Sequence, residues 1–275
     1  MTSPRLDRLT ALLTGLMPRV DIGHSGAQAE PAVVPAAAAD HLHVHLLVAG
    51  TVAFDTPAGR QTLEAPAIAV FRADQAHVLA PVSIDACRVF CAQAHFDGPA
   101  APLLLDAFDV PLFLPMSAAT ADLTRTIALI DQEVGQPRCG SGVLLSRAGE
   151  ILLIGLLRHL VANHVLPRGV LAGLGDPGLA RVLVAVHARP AAPWSLEAMA
   201  ETAGLSRSIF AERFRSSLGI TPRRYLNGYR LTLARREITA GRGLKRAAQA
   251  AGYESPAALS RALSRTAAEA AAAAI

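Results

Sequence analysis

The sequence is short of aromatics, cysteine and lysine, and each shortage narrows what the chain is. Aromatic residues fill 4% of its 275 positions, so a core must be built from Leu, Val and Ala, which favours helices and aliphatic packing. There are three cysteines, Cys87, Cys91 and Cys139. They are too few and too scattered for a disulfide framework, which points to a reducing cytoplasm. Lys245 is the sole lysine among 26 basic residues, a skew that with the many alanines reflects a GC-rich genome rather than any chemistry. No charge-free run of roughly 18 apolar residues occurs, so no membrane span is expected. Met1 to Val20 is amphipathic, with Leu6, Leu9, Leu12, Leu13, Leu16 and Met17 at helical spacing. Asp7 interrupts its apolar side and no small-residue cleavage site follows, which argues against a signal peptide.

What is present is enough apolar residue, 52%, for a full core, and enough length for two domains. The net charge of +4 is uneven: residues 176–275 carry +8 and the rest −4. A basic C-terminal third beside a mildly acidic remainder suits a DNA-reading domain attached to something else. From about 41 to 96 the pattern is short strands and turns. His41, His43 and His45 alternate with Leu42, Val44 and Leu46, and a Pro57-Ala58-Gly59 turn follows. Such spacing predicts a small sandwich or barrel. From Ala118 the period becomes helical. One stripe holds Leu123, Ile127 and Ile130; a longer one runs from Leu144 to Leu160, apolar over more than one face, so buried or paired with a partner. Leu166–Gly175, rich in Pro and Gly, reads as a linker.

Pro177 opens a helix with Leu179, Val182, Leu183 and Val186 inward. Ser195 then caps a helix with Leu196, Met199, Ala200 and Ala203 on one face. Gly204 supplies a left-handed turn, and Ser206 caps a second helix with Ile209, Phe210, Phe214 and Leu218 inward. That is a helix-turn-helix. After a long helix from Pro222 to about Ala240 the pattern repeats. Leu244, Ala247, Ala248 and Ala251 lead to a Gly252 turn, and a helix from Pro256 has Leu259 and Leu263 inward. A helix of ~19 residues spans ~28 Å, enough to hold two recognition helices about one DNA turn apart.

The segments Ser195–Gly219, Gly219–Leu226 and Ala250–Ser255 resemble the AraC/XylS regulators. The resemblance implies a one-component, dimeric transcription regulator that reads adjacent major grooves of double-stranded DNA and can contact RNA polymerase. On that template Arg207, Ser208, Ala211, Glu212 and Arg215 face DNA from the first recognition helix. Ala257, Ser260 and Arg261, with Pro256, do so from the second. Arg suits a guanine edge and Glu a cytosine amine, whereas Ala meets a thymine methyl. Arg223, Arg224, Arg230 and Lys245 suit phosphates. The chain departs from the family at Ala247 and Ala251, where large apolar residues are usual, and at Leu259 and Leu263, where Phe is. The family's closing Phe-Gly-x-Ser-Pro segment is also absent. A second unit with so small a core should be less stable and contribute less to specificity.

His43–Leu79, Cys91–Pro115 and Arg147–His159 resemble the cupin-like sensor domain of one branch of this family. That implies a barrel for a small-molecule effector, followed by helices that dimerise. His43 and His45 share a strand face and His77 stands where a third cupin ligand would be, so Zn or Fe is conceivable. The carboxylate that should follow is replaced by Ala49, however, and Pro66 and Asp74 replace later glycines. We therefore expect neither metal nor cofactor and no catalysis; a cupin-type metal enzyme with a degenerate DNA-binding tail is the alternative. Cys87, Cys91 and His95 recur every fourth residue, and residues four apart on a strand share a face but lie ~13 Å from each other, too far for one metal. Cys91 is either a buried apolar cysteine or a redox-sensing thiol. The expected fold class is α+β. A cupin-like sensor barrel fills 1–117, a helical dimerisation segment and linker 118–175, and an all-α double helix-turn-helix domain 176–275.

Overall fold

The computed structural model describes residues 7–82, 87–116 and 120–273, with side chains to Thr266. Leu6, the 117/118 boundary and the last two residues lie outside them. The chain divides into two compact units. One comprises 17–97 and 102–165 and carries every strand among the described residues; the other comprises 1–16, 98–101 and 166–275. In chain order the strands are β1 (Pro18–Ala27), β2 (Ala32–Val34), β3 (His41–Ala49), β4 (Thr51–Thr56), β5 (Gly59–Glu64), β6 (Ala67–Arg72), β7 (His77–Pro81), β8 (Arg88–Phe96) and β9 (Leu112–Pro115). The helices are α1 (Arg8–Leu16), α2 (Ala101–Leu105), α3 (Ala121–Gly135), α4 (Ser141–Ala162), α5 (Val170–Gly175) and α6 (Pro177–Ala188), then α7 (Leu196–Ala203), α8 (Arg207–Leu218), α9 (Pro222–Thr239), α10 (Leu244–Ala250) and α11 (Pro256–Ala273).

In the strand unit two antiparallel sheets form a cupin-like sandwich, ordered β1-β8-β3-β6-β9 and β2-β7-β4-β5. The amino-acid alternation of β3 fixes what each face meets, because successive side chains point to opposite sides. Phe54, Leu63, Phe71, Leu79 and Val89 fill the space between the sheets with Leu47. The other face of the larger sheet is apolar too, and α3 and α4 cover it. At Gly149 of α4 an added Cβ would come within 2.8 Å of Val20, so glycine permits that close approach. Being buried on both faces, β3 has no solvent side, and its histidines are interior residues.

Three strands differ from the sequence reading. Residues 18–20 belong to β1 rather than to the amphipathic helix, which ends at Leu16; Pro18 disfavours helix in the residue before it. β1, β2 and β9 carry too little alternation to announce themselves. The 166–175 stretch is no linker: α5 occupies most of it, with Val170, Leu171 and Leu174 buried.

In the other unit α6 starts on Asp176, whose carboxylate accepts from the Gly178 and Leu179 amides. Ser195, Ser206 and Thr221 cap α7, α8 and α9 in the same way, through the amides of Ala198, Ile209 and Arg224. Gly204 and Gly252 both take the left-handed conformation, φ +70° and +71°, in the turns of the two helix-turn-helix motifs. The first motif buries Met199, Phe210 and Phe214, with Phe210 against Phe214 and Phe214 against Tyr225 of α9. The second is closed by Leu231, Ala234, Ala247, Ala248, Ala251, Leu259 and Ala262. Leu196, Ile209 and Leu244, expected inside, are exposed by 40, 49 and 37%; each lies in the first turn of its helix, at the edge of the apolar stripe.

Helix α1 belongs to this unit as well. It packs on α6 with Leu12 and Leu16 fully buried, and Arg8 donates to the Leu174 carbonyl at 3.2 Å. Segment 98–101 lies against its end, Gly98 and Ala100 donating to the Leu16 and Gly15 carbonyls. A Cβ at Gly98 would stand 1.8 Å from the Gly15 oxygen, so no other residue fits.

Candidate functional site

Two places in the molecule gather the expected residues. The first is the exposed side of the double helix-turn-helix. In α8, Arg207, Ser208, Glu212 and Arg215 are exposed and Ala211 is half-buried. Arg207 is held by an ion pair to Glu197 of α7. Glu212 and Arg215 share a cleft of about 1350 Å³ with Arg223 and Asn227 of α9. Arg223 and Arg224 are exposed beside the start of α9, and Lys245 is exposed on α10. From α11, Ala257 and Arg261 are exposed and Ser260 is half-buried. The 18 residues of α9 span ~27 Å. Arg230 is misassigned by the sequence reading. Its guanidinium donates to the Pro190 and Ala192 carbonyls at 2.8 and 2.7 Å, which ties down the turn before α7 and leaves it unfit for phosphate. Burial of His187 against Tyr225 (Nε2 to hydroxyl, 2.7 Å) and Tyr229 lowers its pKa to about 4, so it is a neutral core group.

The second place is a cavity of about 660 Å³ in the strand unit. Strand register builds its floor. His45 lies opposite Cys91 and His43 opposite Gln93 across the β3–β8 ladder, and His41 lies opposite His95. His77 arrives from β7 in the other sheet. His45 Nδ1 is 3.1 Å from Cys91 Sγ and its Nε2 is 2.9 Å from His77 Nε2, while His77 Nδ1 reaches the Gln75 carbonyl at 2.9 Å. His77 also stacks on Phe71, with ring centroids 3.7 Å apart. The four residues His43, His45, His77 and Cys91 are therefore brought together. Sequence reasoning passed over His41 and His95 as members, although the alternation that flagged His43 and His45 includes His41. The β2 region, with Ala29, Ala32, Val33, Val34 and Pro35, supplies an apolar wall.

The cluster is uncharged at neutral pH. Burial, then repulsion from His41, His77 and His95, takes His43 down to about 4. Burial and the neighbouring His77 and His43 hold His45 well below the usual imidazole range. Burial lowers His77 too, partly offset by its bond to the Gln75 carbonyl. Burial, with Cys87 nearby, pushes the Cys91 thiol up to about 12. A cupin metal does not fit these residues. His45 spends both ring nitrogens on neighbours, and Ala49 stands where a carboxylate would be. Among the described residues no group of three or more His, Cys, Asp or Glu has the arrangement to hold a metal ion. Nor, among them, is any helix long and apolar enough to cross a membrane.

Comparison with known proteins agrees with both halves. A cupin family model matches residues 7–162, and a helix-turn-helix domain model matches 199–273. An AraC-like transcription regulator of Streptomyces lividans is 35% identical over 173 residues, 62% of this chain and 57% of that protein. The HTH-type transcriptional regulator AlkR of Acinetobacter baylyi is 31% identical over 194 residues, 68% of this chain and 62% of that one. The chain thus spans less than two thirds of the length of these relatives. Among solved structures, ToxT from Vibrio cholerae matches with a TM-score of 0.36 and 10% identity, over 91% of this chain and 93% of that one. The chain belongs to the cupin family through its N-terminal part and joins to it the helix-turn-helix domain of the AraC-type regulators.

Proposed function

We propose that the protein is a one-component transcription regulator that binds double-stranded DNA, not an enzyme. The observation that carries this reading is the pair of helix-turn-helix motifs. Their recognition helices α8 and α11 are joined through an 18-residue helix, within a stretch of net charge +8. Arg207, Ser208, Ala211, Glu212 and Arg215 read one major groove, and Ala257, Ser260 and Arg261 the next. Arg223, Arg224 and Lys245 meet phosphates. The cavity at His43, His45, His77 and Cys91 receives the signal, a small molecule or an oxidant. We assign dimerisation to the helices of 118–175, where Val143 and Ile151 of α4 leave 71 and 54% of their surface exposed. RNA polymerase is the partner at the promoter, and the cytoplasm the place of action.

The test is binding of the purified protein to DNA flanking its own gene, with salt titrated. Tight binding to one fragment over random DNA, weakening steeply with salt, is the expected outcome. Arg207→Ala should cost about 1–3 kcal/mol and relax specificity at one position. Arg261→Ala should cost less, because a helix on a smaller core is held less firmly. Binding indifferent to sequence would defeat the regulator reading; equal losses from the two variants would defeat the ranking of the two motifs.

A further inference from the structure

The cavity floor contains a directed chain of hydrogen bonds, and one carbonyl fixes every proton in it. The Gln75 oxygen can only accept, so the Nδ1 of neutral His77, 2.9 Å away, carries hydrogen. His77 Nε2 is then bare and accepts from His45 Nε2–H at 2.9 Å. His45 Nδ1 is bare in turn, and the group facing it at 3.1 Å is the Cys91 thiol, which donates. The same heavy atoms support a second state in which the thiol proton and the His45 Nε2 proton have each moved one place while the His77 Nδ1 proton stays. Cys91 is then a thiolate, His45 donates to it through Nδ1, and His77 is an imidazolium bonded to the Gln75 carbonyl. A nucleophile, a base in contact with it and a group orienting the base are the elements of an activated cysteine.

We propose that Cys91 is a covalent acceptor for neutral, apolar Michael acceptors of the enone or quinone class, with His45 as its general base and His77 as a positioning residue. This rests on reading the cavity as the effector site. Three observations select the ligand class. Cys91 is partly exposed, and the surface it shares is the cavity. The walls are Ala29, Ala32, Val33, Val34 and Pro35, with Glu30 the one Asp, Glu, Lys or Arg lining it among the described residues; an anionic ligand would meet no described lysine or arginine there. His43, its ring centroid 6.3 Å from that of His45, makes ring contacts but no hydrogen bond among the described residues, so its N–H is available to a ligand carbonyl.

The step balances without a co-reactant. As the Cys91 sulfur bonds to the β-carbon, the alkene π pair moves toward the carbonyl, and the thiol proton passes to His45 Nδ1. His45, briefly cationic, shares its Nε2 proton with His77. The enolate then takes the proton from His45 Nδ1 at its α-carbon, and the chain returns to its neutral state. Thiol and alkene have become a thioether, and nothing is oxidised overall. A thiol whose own acidity is suppressed by burial reacts by this route because its proton leaves only as the new bond forms, as in hydroxyl nucleophiles with a histidine base.

The experiment is N-ethylmaleimide labelling of the full chain, read by peptide mass spectrometry at Cys91, with exposed Cys139 as internal reference. The Cys91 rate should be nearly flat between pH 6 and 8. Free glutathione labelled in parallel, an ordinary thiol below its pKa, should react about tenfold faster per pH unit. His45→Gln should slow Cys91 by roughly 100-fold and restore the steep pH profile. His77→Gln, which orients His45 but takes no proton, should slow it about tenfold and leave Cys139 unchanged. Cys91 unlabelled while Cys139 reacts, or rising with pH as steeply as free glutathione, overturns the proposal on the wild-type protein alone. DNA affinity measured on the adduct separates the two readings. A Cys91 adduct with the flat profile and unchanged DNA binding upholds the chemistry and removes the effector role; a regulator responsive to another ligand but inert at Cys91 does the reverse.

Discussion

The two helix-turn-helix motifs share a backbone and differ in what fills them. Both turn on a left-handed glycine and both recognition helices start on a serine, with Ser206 and Ser255 accepting from the third amide onward. The first is packed with Phe210, Phe214, Met199 and Tyr225, three of them aromatic. The second closes on five alanines with Leu231 and Leu259. Local chemistry, caps and turns, therefore specifies the motif, while core volume sets how firmly it is held. A small core buries less apolar surface per helix, so the second motif leans on α9 and on the turn at Ala191.

The largest expected difference lies in the cores. Phe214→Ala should cost about 3–5 kcal/mol and Leu259→Ala about 2–3 kcal/mol. Chemical denaturation measures both, and native-state hydrogen exchange should show α10 and α11 opening before α7 and α8. A Leu259 variant as costly as the Phe214 variant would mean that the alanine core is no weaker.

Acid should separate the motifs next. His187 sits neutral against Tyr225, its folded-state pKa of about 4 below the unfolded value near 6.5. Below pH 6.5 the unfolded chain binds a proton that the folded chain refuses. Stability is thus complete above 6.5 and falls by roughly 3 kcal/mol down to pH 4. The chain has no histidine after His187, so the second motif has no such dependence. Thermal midpoints across that window should flatten in His187→Phe, apart from the share contributed by the neutral histidines of the strand unit. An unchanged slope would place the titration elsewhere.

The smallest contrast is between the turn glycines, and it runs the other way. Gly204→Ala carries only the left-handed penalty, about 1–2 kcal/mol, since the nearest atom to its new Cβ is the movable Arg181 side chain at 3.4 Å. At Gly252 the Cβ would lie 2.7 Å from Ala191 Cα, a backbone collision that adds about 1 kcal/mol or more. Paired melting curves decide it; equal shifts would mean that the Ala191 loop yields freely.

The sequence makes the C-terminal unit readable because its determinants are local: Ser195, Gly204, Ser206 and Thr221 each act within four residues of where they stand. The fate of Arg230 is not readable, since the carbonyls it binds lie 40 and 38 residues away. The cavity is half legible. Alternation places His43 and His45 on one face, but that Cys91 meets His45 depends on the β3–β8 register, 46 residues apart. β1 escapes notice because Pro18-Arg-Val-Asp-Ile-Gly-His-Ser alternates weakly and bulges between Ile22 and His24. A helical stripe such as that of α1 shows which side is buried, not what covers it.

Helix α1 gives the molecule a calendar. It is synthesised well ahead of the helix that covers its buried face, since α6 follows some 160 residues later. At about 5–20 residues per second that is an interval of roughly 10–30 s in which Leu12 and Leu16 stay open to water or to a chaperone. The helical unit, most of whose residues follow 165, is completed by a piece of chain made before any of the rest of it.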